Sequence, residues 1–315
     1  MPTGEKGSVT PSMDRRTCLK TVGAVAVGGG AATGTASGAT TPSVEVDRHT
    51  VDHTWTTVGV GSSYSDPVAI ALPPSENGYH PCSTRVRDVS GGGFELALEE
   101  WRYLDGWHAT EVVGGLVGDR GVHTFADGTV LELGRVSTDT DWTAFRFEAS
   151  FSTTPVVLAV TQTRNGFHPV VARLRNVSDA GAEVALQEEE AEGDHKAEDV
   201  GYLAVEPGSG EVDGRTYEAS LDRIGSSWTK LSFENEYEEP VFLADLQSFD
   251  GPDTASIRYR NLTNTGVEVR IEEERSDDDE AWHIDERVGY LIVERGATDP
   301  AGYGLGGYGA GGYGQ

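Results

Sequence analysis

Apolar and polar residues alternate along most of this chain. Phe94, Leu96 and Leu98 lie on one face of a predicted strand, and the glutamates between and after them lie on the other. An apolar residue at every second position predicts a half-buried β-strand, whereas the unbroken apolar run 156–160 predicts a strand covered on both faces. No segment has the period of a helix. The pattern therefore predicts an all-β fold built from antiparallel strands.

One series of residues occurs three times. Trp55, Trp142 and Trp228 stand 87 and 86 positions apart, and each begins a Trp-Thr pair. Each is followed by an aromatic residue and a proline, a turn containing Asn-Gly or Asp-Gly, an Arg-x-Arg strand and a closing Val-Gly segment. So many matched positions at one period indicate three copies of one domain.

The repeat divides the chain into five segments. They are a signal peptide in 1–40, repeat 1 in 41–121, repeat 2 in 122–208, repeat 3 in 209–296 and a Gly/Tyr-rich tail in 297–315. Each repeat has about six short strand patterns, enough for a small two-sheet sandwich. We therefore predict three tandem six-stranded antiparallel β-sandwich domains.

The two ends of the chain carry patterns of their own. Asp14-Arg15-Arg16 precedes a Gly- and Ala-rich apolar run in 21–32, the arrangement of a twin-arginine export signal. That run is shorter than the roughly 20 residues of a membrane span, so we expect the mature chain to be exported folded, without membrane insertion, to the cell surface or beyond. The tail is interpreted as flexible, with attachment to a surface as the alternative.

The charge balance narrows the set of partners. The chain has 52 acidic and 24 basic side chains, a net charge of −28, and only four of its cations are lysine. Such a negative field repels nucleic acids and anionic lipids. A carboxylate-rich surface that stays soluble where salt screens its repulsion is instead typical of a salt-loving microbe.

Motifs for catalysis and metal binding are not found. The sequence has no metal-ligand motif, phosphate-binding glycine loop or nucleophile elbow, and its eight histidines are scattered. Beyond the signal it has one cysteine, Cys82, and therefore no internal disulfide. The acidic runs 188–190 and 277–280 lack the spaced ligands of a calcium loop, so we interpret them as solvated surface and keep Ca²⁺ binding as the alternative. We expect no enzyme, cofactor or metal centre.

Arginine and aromatic residues gather in repeat 1. Arg85 and Arg87 share a strand, and Trp101-Arg102 follows the next one. Guanidinium groups can hydrogen-bond paired sugar hydroxyls and an aromatic ring can cover the apolar sugar face. The alternative is a cross-strand ladder in which the arginines balance Glu95 or Glu99. The three repeated tryptophans are interpreted as core anchors.

The repeats resemble a known lectin family. The match is clearest in repeat 2, at Asp141-Trp142, 151–158, 171–174, 176–178 and 200–206. These residues are similar to the H-type lectin domain of snail agglutinins and of the C-terminal part of discoidins. The resemblance implies a six-stranded sandwich that assembles as a trimer and binds sugars, often N-acetylgalactosamine, near the subunit edges.

The resemblance also implies a binding site and an assembly. The family's sugar-binding arginine matches Arg85, Arg173 and Arg258, and its Trp-His pair falls on Trp101-Arg102 in repeat 1. With Arg87, these are the predicted carbohydrate-binding residues. The expected partner is a glycan or polysaccharide, and three tandem copies could fold back as an intramolecular pseudo-trimer.

Three functions are consistent with these observations. The first is a secreted halophilic carbohydrate-binding protein, acting at or outside the cell surface. The second is a non-catalytic structural module of the cell surface that binds no sugar, and an accessory to a partner hydrolase is a third option.

Overall fold

The computed structural model describes residues 43–190, 193–277 and 281–295. The predicted signal peptide and Gly/Tyr tail lie outside these ranges. All regular structure within them is β-strand, which confirms the all-β prediction. The described residues contain no helix long and apolar enough to cross a membrane.

The described residues form twenty strands. In repeat 1 they are β1 (Val44–Val51), β2 (Thr56–Gly59), β3 (Pro67–Pro74), β4 (Cys82–Ser90), β5 (Gly93–Glu100) and β6 (Glu111–Asp119). Around repeat 2 they are β7 (Gly121–Thr124), β8 (Val130–Thr138), β9 (Thr143–Arg146), β10 (Val156–Thr161), β11 (Val171–Ser178), β12 (Gly181–Gln187) and β13 (Glu198–Val205). Around repeat 3 they are β14 (Gly208–Val212), β15 (Arg215–Ile224), β16 (Thr229–Ser232), β17 (Pro240–Leu246), β18 (Ala255–Thr263), β19 (Gly266–Glu273) and β20 (Glu286–Glu294).

The strands form six antiparallel sheets, two for each stretch of the chain that carries one repeat. The orders are β1-β6-β3 and β2-β5-β4, then β10-β13-β8-β7 and β11-β12-β9, then β14-β15-β20-β17 and β16-β19-β18. Repeat 1 matches the expected six strands. The other two stretches have seven, because a hairpin adds an edge strand before β8 and before β15. These hairpins turn at Asp127-Gly128 and Asp213-Gly214, and Gly128, Asp213 and Gly214 have positive φ angles, which glycine and aspartate tolerate.

The most apolar strand of each stretch lies at the centre of the molecule. β3, β10 and β17 pack against one another and bury nearly every side chain. Val68, Leu158 and Leu243 of these strands belong to one continuous hydrophobic cluster. This arrangement explains the unbroken apolar run 156–160 of β10, since that strand is covered on both faces.

The Arg-x-Arg strands end alike in all three stretches. Asp88, Asn176 and Asn261 each have a φ of 52°, and a bulge shifts the register of each hairpin at that point. Asn and Asp tolerate this left-handed conformation better than other non-glycine residues. The repeat found in the sequence is thus also a repeat of backbone geometry.

Candidate functional site

The first arginine of each Arg-x-Arg strand is buried, and so cannot meet a ligand at the surface as predicted. The exposed fractions of Arg85, Arg173 and Arg258 are 0%, 1% and 0%. Each guanidinium is held in an ion pair with a glutamate from another repeat. The pairs are Arg85 Nη2 with Glu198 Oε1 at 2.6 Å, Arg173 Nη2 with Glu286 Oε1 at 2.9 Å and Arg258 Nη2 with Glu111 Oε1 at 2.9 Å.

These ion pairs link the repeats in a ring. Repeat 1 donates to repeat 2 through Arg85, repeat 2 donates to repeat 3 through Arg173, and repeat 3 donates back to repeat 1 through Arg258. Burial makes each pair hard to break, because a lone charge in the interior is far more costly than a paired one. The arginines that the family resemblance assigns to sugar are therefore used for contacts between repeats.

The acceptor glutamate is surrounded by donors. Glu198 accepts hydrogen bonds from Thr163 Oγ1 at 2.5 Å, from the backbone N–H groups of Asn165 and Gly166 at 2.8 and 2.9 Å, and faces His195 Nε2 at 3.0 Å. Burial alone would raise the pKa of this carboxyl. The bonds from His195, Gly166, Thr163 and Asn165 outweigh burial and lower the pKa of Glu198 to about 2.

The equivalent carboxyls behave in the same way. Burial opposes ionisation of Glu286, yet hydrogen bonds from His283, Ser248 and the Asp250 backbone, with the nearby Arg173 charge, lower its pKa to about 2. The pKa of Glu111 is also lowered, by a matching set of partners led by His108. The three carboxylates are therefore ionised at neutral pH.

A His-x-x-Glu motif was missed in the sequence. His108, His195 and His283 each stand three residues before the buried glutamate, and one ring nitrogen of each faces it. The other ring nitrogen faces a second glutamate: Glu100, Glu188 and Glu273 respectively. Only the matched positions of these histidines in the repeats could have revealed the motif, so treating the eight histidines as scattered was wrong.

The second arginine of each Arg-x-Arg strand forms the predicted ladder. Arg87, Arg175 and Arg260 are directly opposite Glu95, Glu183 and Glu268 on the neighbouring strand, at nitrogen–oxygen distances of 2.6, 2.5 and 2.7 Å. The ladder interpretation is confirmed for these residues. The pairs are partly exposed, so each contributes little to stability.

The same arginines cover the repeated tryptophans. The guanidinium carbons of Arg87, Arg175 and Arg260 lie 3.8, 4.2 and 4.1 Å from the ring centres of Trp55, Trp142 and Trp228. The indoles are half-buried at the strand surface, so the prediction that they anchor the core was wrong. A tryptophan beside an arginine can bury its ring by cation–π stacking without entering the core.

The remaining predicted residues lie close together. Trp101 is buried, with 1% exposure, and Arg102 is exposed with its backbone N–H donating to Glu189 Oε2 at 2.6 Å. Both line a cleft, and Arg87 lines a second cleft next to it. Of the six predicted residues, three arginines and Trp101 are therefore buried, and only Arg87 and Arg102 are partly or fully exposed beside these clefts.

The two clefts adjoin where repeat 1 meets repeat 2. Their volumes are about 380 Å³ and about 410 Å³, and both are lined by Arg164 and Phe167 of the loop after β10. The guanidinium carbon of Arg164 lies 5.6 Å from the ring centres of both Trp55 and Phe167. Its Nε donates to Glu99 Oε1 at 2.9 Å, which ties this loop of repeat 2 to β5 of repeat 1.

Phe167 is an exposed aromatic at the tip of this loop. Its exposed fraction is 76%, and Tyr79 at the matching position of repeat 1 is 82% exposed. Repeat 3 has Pro252 at this position. Around Phe167 the clefts offer the carboxylates of Asp88, Asp199 and Asp105 and the guanidiniums of Arg87, Arg102 and Arg164.

Comparison with known proteins gives one similarity of note. No protein-family model matches the chain, and no solved structure matches it. The chain is similar to halomucin of Haloquadratum walsbyi, with 30% identity over 250 residues. The matched stretch covers 75% of this chain and 3% of halomucin, so this chain spans a small fraction of that protein's length.

Proposed function

We propose that this protein is a secreted, salt-adapted carbohydrate-binding protein whose glycan site is the double cleft between repeats 1 and 2. The observation that carries the proposal is the placement of Phe167 and Arg164, which together line both clefts. Phe167 is 76% exposed, and its loop is held at the base by the Arg164–Glu99 ion pair. The exposed phenyl ring provides an apolar face for the C–H groups of a sugar ring.

The polar groups around Phe167 suit sugar hydroxyls. Arginine offers forked N–H donors and aspartate offers paired acceptors, and both geometries match adjacent hydroxyls. Arg164 is partly committed to Glu99, which fixes its orientation toward the clefts. In this proposal Arg85, Arg173 and Arg258 contact no sugar and instead hold the repeats together.

Surface location and salt adaptation are supported by two independent observations. The chain carries a net charge of −28 with only four lysines, a composition that favours solubility in concentrated salt. Its relative halomucin comes from Haloquadratum walsbyi. We infer that the protein is an extracellular or cell-surface component of a halophile, which also agrees with the predicted twin-arginine signal.

The ring of ion pairs supports the proposed intramolecular pseudo-trimer. Three tandem H-type lectin-like domains joined as repeat 1 to 2, 2 to 3 and 3 to 1 would reproduce a closed trimer within one chain. The packing of β3, β10 and β17 on one another supports the same arrangement. A covalent trimer avoids the entropy of association, since its three parts are already linked.

A glycan array probed in molar KCl tests the proposed function. We expect the full mature chain to be retained by a subset of neutral or N-acetylated sugars, and Arg164→Ala to lose that retention. Arg120→Ala is the control, because Arg120 is an exposed arginine that lines neither cleft. Equal retention of both variants would contradict the placement of the site.

A structural surface module without sugar binding is the second candidate. It is favoured by the use of the repeated arginines for ion pairs between repeats, because those arginines are not available to a ligand. If no glycan is retained by the folded protein in molar salt, this second function replaces the first.

A further inference from the structure

A histidine and two carboxylates converge at the edge of the cleft that contains Trp55. The side chains of His80, Glu100 and Asp105 each offer one ligand atom, and these atoms all lie within 4.8 Å of one another. Glu100 and Asp105 also line the cleft. His80 belongs to the loop tip that carries the exposed Tyr79, and none of the three has a part in the ring of ion pairs.

The spacing of these atoms suits a small divalent cation. His80 Nδ1 lies 3.0 Å from Glu100 Oε1. Ligands about 2.0–2.2 Å from a tetrahedral zinc ion lie roughly 3.3 Å from each other, so this pair is already at coordinating distance. Asp105 is exposed at the cleft edge and needs only a small side-chain movement to complete three ligands.

An unpartnered oxygen within the cluster provides a second observation. The Glu100 side chain has 0% exposure, and its Oε1 lies within hydrogen-bonding distance of both His80 and His108. Among the described residues, nothing donates a hydrogen bond to Glu100 Oε2. A buried carboxylate oxygen without a donor is costly, and a bound cation removes that cost.

The neighbouring residues hold the ligands in place. His108 Nδ1 lies 2.9 Å from Glu100 Oε1, and the Trp107 backbone N–H donates to Asp105 Oδ1 at 2.9 Å. Arg258 Nη1 donates to the backbone carbonyl of His80 at 3.0 Å. Partners of this kind orient the ligands in protein metal sites and raise their affinity for the metal.

We infer that His80, Glu100 and Asp105 bind one divalent transition-metal ion of the Zn²⁺ class, with an open coordination position directed to the cleft. Zn²⁺ accepts both histidine nitrogen and carboxylate oxygen as ligands, whereas Ca²⁺ takes six to eight oxygens. A three-ligand site leaves a position for water or for a hydroxyl group. Metal binding by the free protein does not depend on the proposed glycan function and is measured without sugar.

Within the described residues, which omit 191–192 and 278–280, the other two repeats show only part of this cluster. In repeat 2, His168 Nδ1 lies 2.9 Å from Glu188 Oε2, which matches the His80–Glu100 pair. In repeat 3, Asp253 stands where repeats 1 and 2 have histidine. His168→Ala is therefore a matched control, since it removes the same residue type from the same loop position.

Equilibrium dialysis of the full mature chain against Zn²⁺ tests this site, with bound metal measured by elemental analysis. A molar sulfate salt replaces chloride, which competes for the metal. We expect one tightly held Zn²⁺ per chain above the weak binding of the acidic surface. His80→Ala and Asp105→Asn should each lower the affinity for that ion by about 10-fold or more, while His168→Ala retains it.

Co²⁺ provides a readout independent of affinity. Bound Co²⁺ at a site with few ligands absorbs visible light more strongly than hydrated Co²⁺, and we expect this band in the wild type and in His168→Ala only. Circular dichroism confirms that each variant is folded. If folded wild type and His80→Ala bind the same amount of Zn²⁺ with the same affinity, the site does not exist.

Discussion

Arg85 Nη2 donates a hydrogen bond to Glu198 Oε1 over 2.6 Å, although the two residues are 113 positions apart in the chain. Both side chains are fully buried. Arg173 and Glu286 repeat the relationship with the same separation of 113 positions. Each pair joins the Arg-x-Arg strand of one repeat to the closing strand of the next, so stability and assembly of the repeats are coupled.

Removing Arg85 should destabilise the whole chain. In Arg85→Met the Glu198 carboxylate stays buried without its cation, and we expect the free energy of unfolding to fall by about 3–5 kcal/mol. Urea unfolding in molar KCl, followed by tryptophan fluorescence, measures the change. High salt should not rescue the variant, because the Glu198 carboxylate left without its cation is buried and hardly screened by ions in solution.

Arg120→Met is the control for that measurement. Arg120 pairs with Asp66 at 2.8 Å, but its side chain is 54% exposed. We expect a loss of less than about 1 kcal/mol. Similar losses of unfolding free energy in the two variants would show that the buried ion pair contributes no more to stability than an exposed one.

Acid should weaken the links between repeats. The pKa of Glu198 is about 2 in the folded protein and that of Glu286 is also about 2, below the unfolded value of about 4.3. Their stabilising contribution is therefore complete above about pH 4.3 and is lost as the pH falls from there toward 2. Arg85, whose guanidinium pairs with Glu198, stays charged over this range.

The free energy of unfolding measured against pH in molar KCl tests this dependence. Many other carboxyl groups titrate in the same range, so the informative quantity is the difference between wild type and Glu198→Gln. We expect that difference to shrink as the pH falls from about 4.3 to 2. A difference that stays constant would mean that Glu198 does not titrate with a lowered pKa.

The loop glycine that packs against each buried His-x-x-Glu histidine should not tolerate a larger side chain. A Cβ on Gly166 would lie 2.4 Å from His195 Cε1 and 2.5 Å from its Nε2, and that ring is buried between two glutamates. We expect Gly166→Ala to cost about 1–3 kcal/mol through overpacking. At Gly92 the added Cβ meets nothing within 4 Å, so Gly92→Ala should be nearly neutral when thermal unfolding is compared.

Small-angle X-ray scattering tests the intramolecular pseudo-trimer. A compact chain of about this length has a radius of gyration near 19 Å, whereas three domains strung out in a line give a much larger value. We expect the mature chain in molar KCl to approach the compact value. An elongated particle would contradict the closed ring of repeats.

Short-range features of this fold could be predicted from the sequence. Alternating residues such as Phe94, Leu96 and Leu98 report directly on which face of a strand is buried, so the strand pattern indicated the fold class. The pairing of Arg87 with Glu95 could also be predicted, because both residues lie on one hairpin.

Contacts between repeats could not be predicted in this way. Arg85 has Glu99 within 3.8 Å on its own hairpin, and nothing local indicates that its closer partner is Glu198 of another repeat. The cleft was missed for the same reason, since Trp55 and Phe167 meet only where two repeats pack together. Of the cleft-lining residues, Arg87, Trp101 and Arg102 were predicted from the sequence, whereas Arg164 and Phe167 were identified only from the packing of repeat 2 on repeat 1.

The central claim is that the cleft between repeats 1 and 2 binds a glycan. The most direct test compares the retention of four folded proteins on immobilised glycans in molar KCl. The proteins are the wild type, Phe167→Ala, Arg164→Ala and Trp282→Ala, the last removing an exposed aromatic that lines neither cleft. We predict that wild type and Trp282→Ala bind the same glycans, and that the other two lose at least about 10-fold in affinity, the equivalent of 1.4 kcal/mol. No retention of the wild type, or unchanged retention of Phe167→Ala and Arg164→Ala, would contradict the proposed site.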